Sequence, residues 1–187
     1  MINTSEFRKG VKVEIDGAPY VIIDNQFVKP GKGTAFNRVR FKNMITGSVL
    51  DRTIRSGDSV PKADIEQENM SFLYESGGAY HFMNQKSYEQ MGMPAETLGD
   101  AKNFLTENLE VSVLVWNGRP ITVEVPNFVE IQIVKCDPGA RGDTVSGATK
   151  PATLSTGYVV DVPLFVNENE WIRIDTRTGE YMDRVKR

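Results

Sequence analysis

Apolar and polar residues alternate along almost the whole chain. "KVEI" (12–15), "YVIIDNQFVK" (20–29), "FNRVRFKNM" (36–44) and "SVLDRTIRS" (48–56) all have period two. That is the pattern of a strand with one face on a core and the other in water. Asp16-Gly17, the Gly31/Gly33 pair and Thr46-Gly47 interrupt the alternation as turns do. Four or five strands this closely spaced predict a small SH3-like barrel. The middle third restarts with "SFLYESGGAYHFMN", a hairpin around Ser76-Gly77-Gly78, and later has "EVSVLVWNGRPITVEVP" (110–126), turning at Asn117-Gly118. Between them one helix is predicted within 94–109, where Leu98, Ala101, Leu105 and Leu109 form a rough apolar stripe that Gly99 weakens. Strands with one interposed helix suit an OB-type barrel. The last third is strand-rich without a helix, and its loop at 137–150 is long enough to be functional rather than connecting.

The polar stretch 57–70, which contains Pro61, is the first boundary signal. The reading is therefore all-β, with three small barrels at 1–64, 65–127 and 128–187. "VEVPNFV" (123–129) and "VDVPLFV" (160–166) echo one another, but their spacing is too short for one repeat of a barrel this size.

Composition narrows the chemistry. The chain has 187 residues, 40% hydrophobic and 25% charged, as globular proteins do. No apolar run reaches bilayer length and the first residues lack a signal-peptide core, so no membrane association and a cytoplasmic location are expected. Cys136 and His81 are the only residues of their types. Zinc sites built on several Cys and His ligands and His-dependent nucleophilic sets are thereby excluded; no metal and no cofactor are expected. His81 reads as a strand histidine, packed on a face or at the surface. Charge is uneven: residues 1–64 carry 11 Lys+Arg against 7 Asp+Glu, a net of +4, whereas residues 65–127 carry 3 against 9, a net of −6. A basic first third suggests that one end meets a polyanion.

That end contains "FVKPGKGTAF" (27–36), in which Lys32 lies between Gly31 and Gly33, preceded by Lys29 and Pro30. A phosphate-binding P-loop needs a glycine five residues before Gly-Lys, then Ser or Thr, then a helix. Here Gln26 and Gly33 hold the outer positions and a strand follows, so the nucleotide reading fails. What remains is a thin loop: glycines without a Cβ, an entry stiffened by proline, and a terminal amine open to enzymatic acylation or alkylation. An ordinary Gly-rich hairpin with a solvated lysine is the plainer alternative. Arg38, Arg40 and Lys42 alternate with Val39 and Phe41 at its base, which places three cations on one strand face, suited to RNA phosphates.

With these blocks the chain resembles bacterial elongation factor P. The resemblance runs through "FVKPGKGTAF", "HFMN", "LVWNGRPI", "PNFVEIQIV", "DPGARGDT", "KPATLSTGYVVDVPLFV" and "DTRTGEY", in order and over essentially the whole length. It departs at Asn169, where the family usually has glycine in a turn. The resemblance implies a KOW-like (SH3-like) domain and two OB-fold domains in an L-shaped, tRNA-like arrangement. It also implies a factor that binds both ribosomal subunits between the peptidyl and exit tRNA sites and relieves polyproline stalling by positioning peptidyl-tRNA with the Lys32 loop. Lys32 would be the residue modified by a dedicated enzyme; β-lysyl, aminopentanol and unmodified forms stay open, while the rhamnosyl route, which uses arginine, is closed. Gly142, Asp143 and Thr144 would face the exit-site mRNA codon, with a local Asx-type turn as the plainer alternative for Asp143 and Thr144.

Arg177, Tyr181 and Arg184 are further RNA-contact candidates by stacking and charge, with a barrel-closing tyrosine and solvated arginines as the alternative. A monomer without catalytic residues of its own is expected. Two rival classes remain at this stage: a general single-stranded nucleic-acid binder, which the −6 middle third argues against, and an enzyme, which the lone His and Cys argue against.

Overall fold

The computed structural model describes residues 1–139 and 147–187. The chain is all-β and divides into two compact units, residues 1–67 with 114–122, and residues 68–113 with 123–187.

The first unit is built on β1 (Ile2–Asn3), β2 (Lys12–Ile15), β3 (Ala18–Val28), β4 (Phe36–Asn43), β5 (Val49–Arg55) and β6 (Ser59–Val60). Strands β2-β3-β4-β5 form one antiparallel sheet in sequence order, and β1 pairs with β6. The turn between β2 and β3 uses Asp16 (φ 50°) and Gly17 (φ 77°), the pair of positive φ values that a tight hairpin matched to strand twist requires. Alternation then does the sorting. On β4, Asn37, Val39, Phe41 and Asn43 are buried, while Arg38, Arg40 and Lys42 are exposed. Val39 and Phe41 join Phe7, Val13, Ile15 and Ile22 in the core. Phe41 is fully buried, so truncating it to alanine costs about 3–5 kcal/mol.

In the middle third come β7 (Ile65–Ser76), β8 (Ala79–Asn84), β9 (Gln90–Pro94), β10 (Glu110–Trp116) and β11 (Arg119–Glu124), in the sheet order β11-β10-β7-β8-β9. The helix is much shorter than its apolar stripe predicts. α1 spans Ala95–Leu98, and a 3-10 turn, Gly99–Phe104, follows it. Gly99 sits at φ 54°, outside helical geometry, so the α-helical ladder ends there. Leu105 and Leu109 lie beyond both turns.

The last third contains β12 (Phe128–Cys136), β13 (Thr149–Leu154), β14 (Val159–Pro163), β15 (Trp171–Asp175) and β16 (Glu180–Val185), ordered β14-β13-β12-β15-β16. Its core holds Ile131, Ile133, Leu154, Val162, Ile172 and Ile174, and Phe104 belongs to the same cluster. The Phe104 ring meets Tyr158 edge-on at 5.4 Å, and the Thr156 hydroxyl donates to the Asn103 carbonyl at 2.7 Å. The 3-10 turn therefore contributes a side chain to the core of the C-terminal sheet. Asn169 takes φ 68°, the left-handed conformation in which asparagine substitutes for glycine at small cost.

Candidate nucleic-acid interface

Strands β3 and β4 stay paired as far as Val28 and Phe36, so residues 29–35 form the loop that joins them. Lys29, Gly31, Lys32, Gly33 and Thr34 are exposed and Pro30 is half-buried. The two glycines differ. Gly33 has φ +105°, a region L side chains rarely adopt, while Gly31 has no positive φ, and a Cβ built there meets no atom within 4 Å. Only Gly33 is required by backbone conformation; Gly31 keeps the loop thin. Lys32 thus extends from a narrow loop at whose glycines, among the described residues, an added Cβ would meet only the Pro30 ring, at 3.9 Å from Gly33.

At the base of the loop Arg38, Arg40 and Lys42 do share one exposed face of β4. They are not equivalent. The Arg38 guanidinium lies over the Phe36 ring at 5.8 Å. Arg40 donates Nε and Nη2 to the two carboxylate oxygens of Asp51, at 2.8 and 3.4 Å. This fork holds the Asp51 carboxyl below the usual carboxylate range and raises the Arg40 pKa. Arg52 pairs with Asp16 at 2.9 Å. Asp24, Gln26, Arg38, Arg40, Asp51 and Arg52 line an open hollow of about 280 Å³. The face is therefore one of mixed charge with arginines held in fixed directions. Asp24 and Asp51 escaped the sequence reading because their strand partners cannot be read from alternation alone.

In the second unit Arg177 is fixed by both oxygens of Asp175, at 3.0 and 2.9 Å, and its guanidinium covers the Phe128 ring at 5.3 Å. Arg184 lies over the exposed Phe165 ring at 4.8 Å and pairs with Glu170 at 3.6 Å. Tyr181 packs against the C-terminal core, and burial raises its pKa. Tyr181 and Arg184 line one hollow together with Phe165, Trp171 and Arg187; Arg177 is not in it. Trp171 and Arg187, which sequence reasoning missed, stack at 4.0 Å. The signal was present as a tryptophan in a strand and an arginine at the chain end, but strand pairing was needed to join them. Gly142, Asp143 and Thr144 lie outside the described residues. His81 stacks on Tyr74 at 4.6 Å, across β7 and β8. Among the described residues no group of three or more His, Cys, Asp or Glu side chains is arranged to hold a metal ion. Among the described residues no helix is long and apolar enough to cross a membrane.

Three family models match in order. The Elongation factor P (EF-P) KOW-like domain matches residues 3–60, the Elongation factor P (EF-P) OB domain residues 65–123, and the Elongation factor P C-terminal model residues 129–184. Elongation factor P of Bdellovibrio bacteriovorus is 49% identical over 185 residues, spanning 99% of this chain and 98% of that protein. The chain belongs to the elongation factor P family. It is thus a translation elongation factor, and such a factor interacts with the ribosome.

Solved structures share the fold over about two thirds of the chain. Eukaryotic translation initiation factor 5A from Methanococcus jannaschii aligns with a TM-score of 0.53 at 24% identity, over 67% of this chain and 92% of that one. The translation initiation factor eif-5a family protein from Naegleria fowleri aligns with 0.51 at 18% identity, over 65% and 93%. At these identities the likeness is one of fold.

Proposed function

We propose that this elongation factor binds the ribosome between the peptidyl and exit tRNA sites and speeds peptide-bond formation at consecutive prolines, with Lys32 entering the peptidyl-transferase centre. The observation that carries this reading is an exposed lysine on a thin glycine loop, joined to an arginine-bearing strand face, in a chain of this family. Proline is a poor acceptor because its secondary amine is constrained. A factor that holds the terminal nucleotides of peptidyl-tRNA in a near-attack arrangement needs no acid or base of its own. Orientation alone supplies several kcal/mol, about tenfold in rate for each 1.4 kcal/mol. The ribosome remains the enzyme and this chain a positioning element.

In this reading Arg38, Arg40 and Lys42 contact tRNA or rRNA phosphates, and Lys29, Pro30, Gly31 and Gly33 shape the tip. Arg177, Tyr181 and Arg184 contact RNA by charge and stacking, and Gly142, Asp143 and Thr144 face the exit-site codon. The chain works in the cytoplasm as a monomer of three domains, 1–64, 65–127 and 128–187, and Lys32 is the substrate of a lysine-modifying enzyme. A general single-strand binder would need a continuous cationic groove, and the carboxylates of Asp24 and Asp51 interrupt the arginine face.

The deciding experiment is Lys32→Ala in a reconstituted translation system. Loss of Pro-Pro-Pro synthesis with an unchanged melting temperature is the expected result. Full rescue of the stall by the variant would sink the reading.

A further inference from the structure

The arm that carries the loop is supported unequally on its two sides. β4 is paired with β5 as far as Phe36 and Arg55, and the Ser56 N–H continues the ladder to the Ala35 carbonyl. β3 loses its neighbour much earlier. β2 pairs only with residues 18–21, and the last backbone bonds on that side join Ile22 to Gly10 and Val11. Beyond them, the hydrogen bond from the outer side of β3 to the N-terminal segment is made by a side chain: Asn25 Nδ2 donates to the Phe7 carbonyl at 3.0 Å.

Asn25 is itself held. Asn37 Nδ2 donates to Asn25 Oδ1 at 3.0 Å. Asn37 occupies the inward row of β4, next after Phe41 and Val39, and is 4% exposed. The fully buried apolar residues of β4 stop one rung before it; of its two register partners Phe27 on β3 is 58% exposed, while Ile54 on β5 packs against the edge of the core. An amide so deeply buried at a core-facing position is costly unless bonded, and its bonding fixes where its partner must stand. Phe7 is anchored in turn, its carbonyl receiving the Asn25 amide while its ring sits in the core and its N–H donates to the Thr4 carbonyl.

We infer that Asn37 and Asn25 are positioning residues: their amide relay to the Phe7 carbonyl fixes the direction of the β3–β4 arm, and so the place at which Lys32 is presented. Both amides are bonded within the arm and to its anchor at Phe7; they act through the arm. The inference rests on the proposed role of Lys32 for its effect on rate, but not for its effect on the arm.

The relay is directional, so an isosteric change tests it. Asn37→Asp puts a carboxylate opposite Asn25 Oδ1. If Asn25 turns its NH₂ towards that carboxylate, the Phe7 carbonyl loses its donor. With that carboxyl ionised, either way one link is broken with little change of volume; burial favours the protonated form, whose O–H would keep the link, so the comparison is made well above the carboxylate range of pH. Asn25→Asp breaks the link to Phe7 while keeping the acceptor for Asn37, and Asn37→Ser serves where the charged variant melts early.

Two readouts are needed on the full-length protein. Residual dipolar couplings and order parameters of the backbone amides from 25 to 37 report whether the arm keeps its direction relative to the Val13–Phe41 core. Rates of Pro-Pro bond formation, measured against factor concentration, separate half-saturation from maximal rate. The expected result is an arm that loses fixed alignment, an unchanged half-saturation, and a maximal rate lower by about tenfold to a hundredfold, as misplacement of a positioning group by an ångström gives. An arm that stays aligned in a folded variant overturns the inference, whatever the rate does. A fall in affinity equal to the fall in rate overturns it as well, since that is loss of binding and not of presentation. If the arm loses alignment while Lys32→Ala keeps the full rate in the same assay, the amide relay stands and the proposed role of the tip fails.

Discussion

The Arg40 guanidinium is forked onto the Asp51 carboxylate at 2.8 Å, on the same exposed face as Arg38 and Lys42. Both partners are well exposed, so the pair adds little to stability. Its effect is on charge and direction: one of the three cations meets an incoming phosphate already compensated. Asp51→Asn removes that compensation without removing the side chain. Ribosome or tRNA binding at low salt should tighten, and the slope of log K against log salt should steepen by about 0.7–0.9, the increment of one further phosphate contact. An unchanged slope across a salt titration would mean that Arg40 makes no phosphate contact.

Asp175 and Arg177 form the corresponding pair in the second unit. The side-chain hydrogen bond from Arg177 is the main cause that holds the Asp175 carboxyl below the usual carboxylate range. A carboxyl whose folded pKa is depressed stabilises the fold fully above its unfolded pKa. That contribution is lost as pH falls through the folded value. Asn at 175 can still accept the Arg177 backbone N–H that Asp175 accepts at 2.9 Å, so Asp175→Asn isolates the charge. Urea midpoints of the two proteins should differ at pH 6 and converge as pH is lowered towards 2. A gap that persists in acid would assign the effect to packing.

Strand placement was readable because one physical rule, alternation on a half-buried sheet, governs most of the chain. β2, β3, β4 and β5 fall within a few residues of their predicted spans. The helix was not readable in the same way. Leu98 and Leu105 are both buried, but Leu98 ends α1 while Leu105 lies just beyond the 3-10 turn, and Gly99 at φ 54° decides that. β1 and β6 are two residues each, too short for any periodicity to register. At the candidate site, Lys32 and the β4 arginines were legible from local spacing. Asp24 and Asp51 on that face, and Trp171 and Arg187 in the separate hollow of the second unit, were not, since the register between neighbouring strands, which local spacing does not show, brings them to their partners. Asn37 was visible as a polar residue at a core-facing position, yet its partner Asn25 is 12 residues away.

Asn169 offers a test of conformation with little packing involved. It holds φ 68°, its N–H donates to the Ile133 carbonyl at 2.9 Å, and its carbonyl accepts from Gln132 Nε2 at 3.2 Å. Asn169→Gly keeps both backbone bonds and should change stability by less than about 0.5 kcal/mol. Asn169→Ala also keeps them but places an ordinary Cβ in the left-handed region, at a cost of about 1–2 kcal/mol. Equal stability of the alanine and glycine variants in urea titrations would show that the turn relaxes out of that conformation.

Gly31 and Gly33 should fail for different reasons when given a side chain. At Gly33, φ +105° is strained for any L residue, so Gly33→Ala should redirect the loop and lower the rate of Pro-Pro bond formation even though alanine adds only a methyl. At Gly31 there is no such constraint, and an added Cβ meets nothing within 4 Å. Gly31→Ala should therefore keep most of the rate, while Gly31→Val, with a β-branched side chain in a loop that must enter a confined centre, should lose it. Arg38, Arg40 and Lys42 are intact in all three variants, so affinity for stalled ribosomes should fall far less than the rate. Melting temperatures should stay close to that of the parent, because the loop packs against little. The paired measurement is affinity and Pro-Pro rate for each variant. If Gly33→Ala is as active as Gly31→Ala, the positive φ is not used at the ribosome; if Gly31→Val is fully active, the centre that Lys32 enters is not narrow.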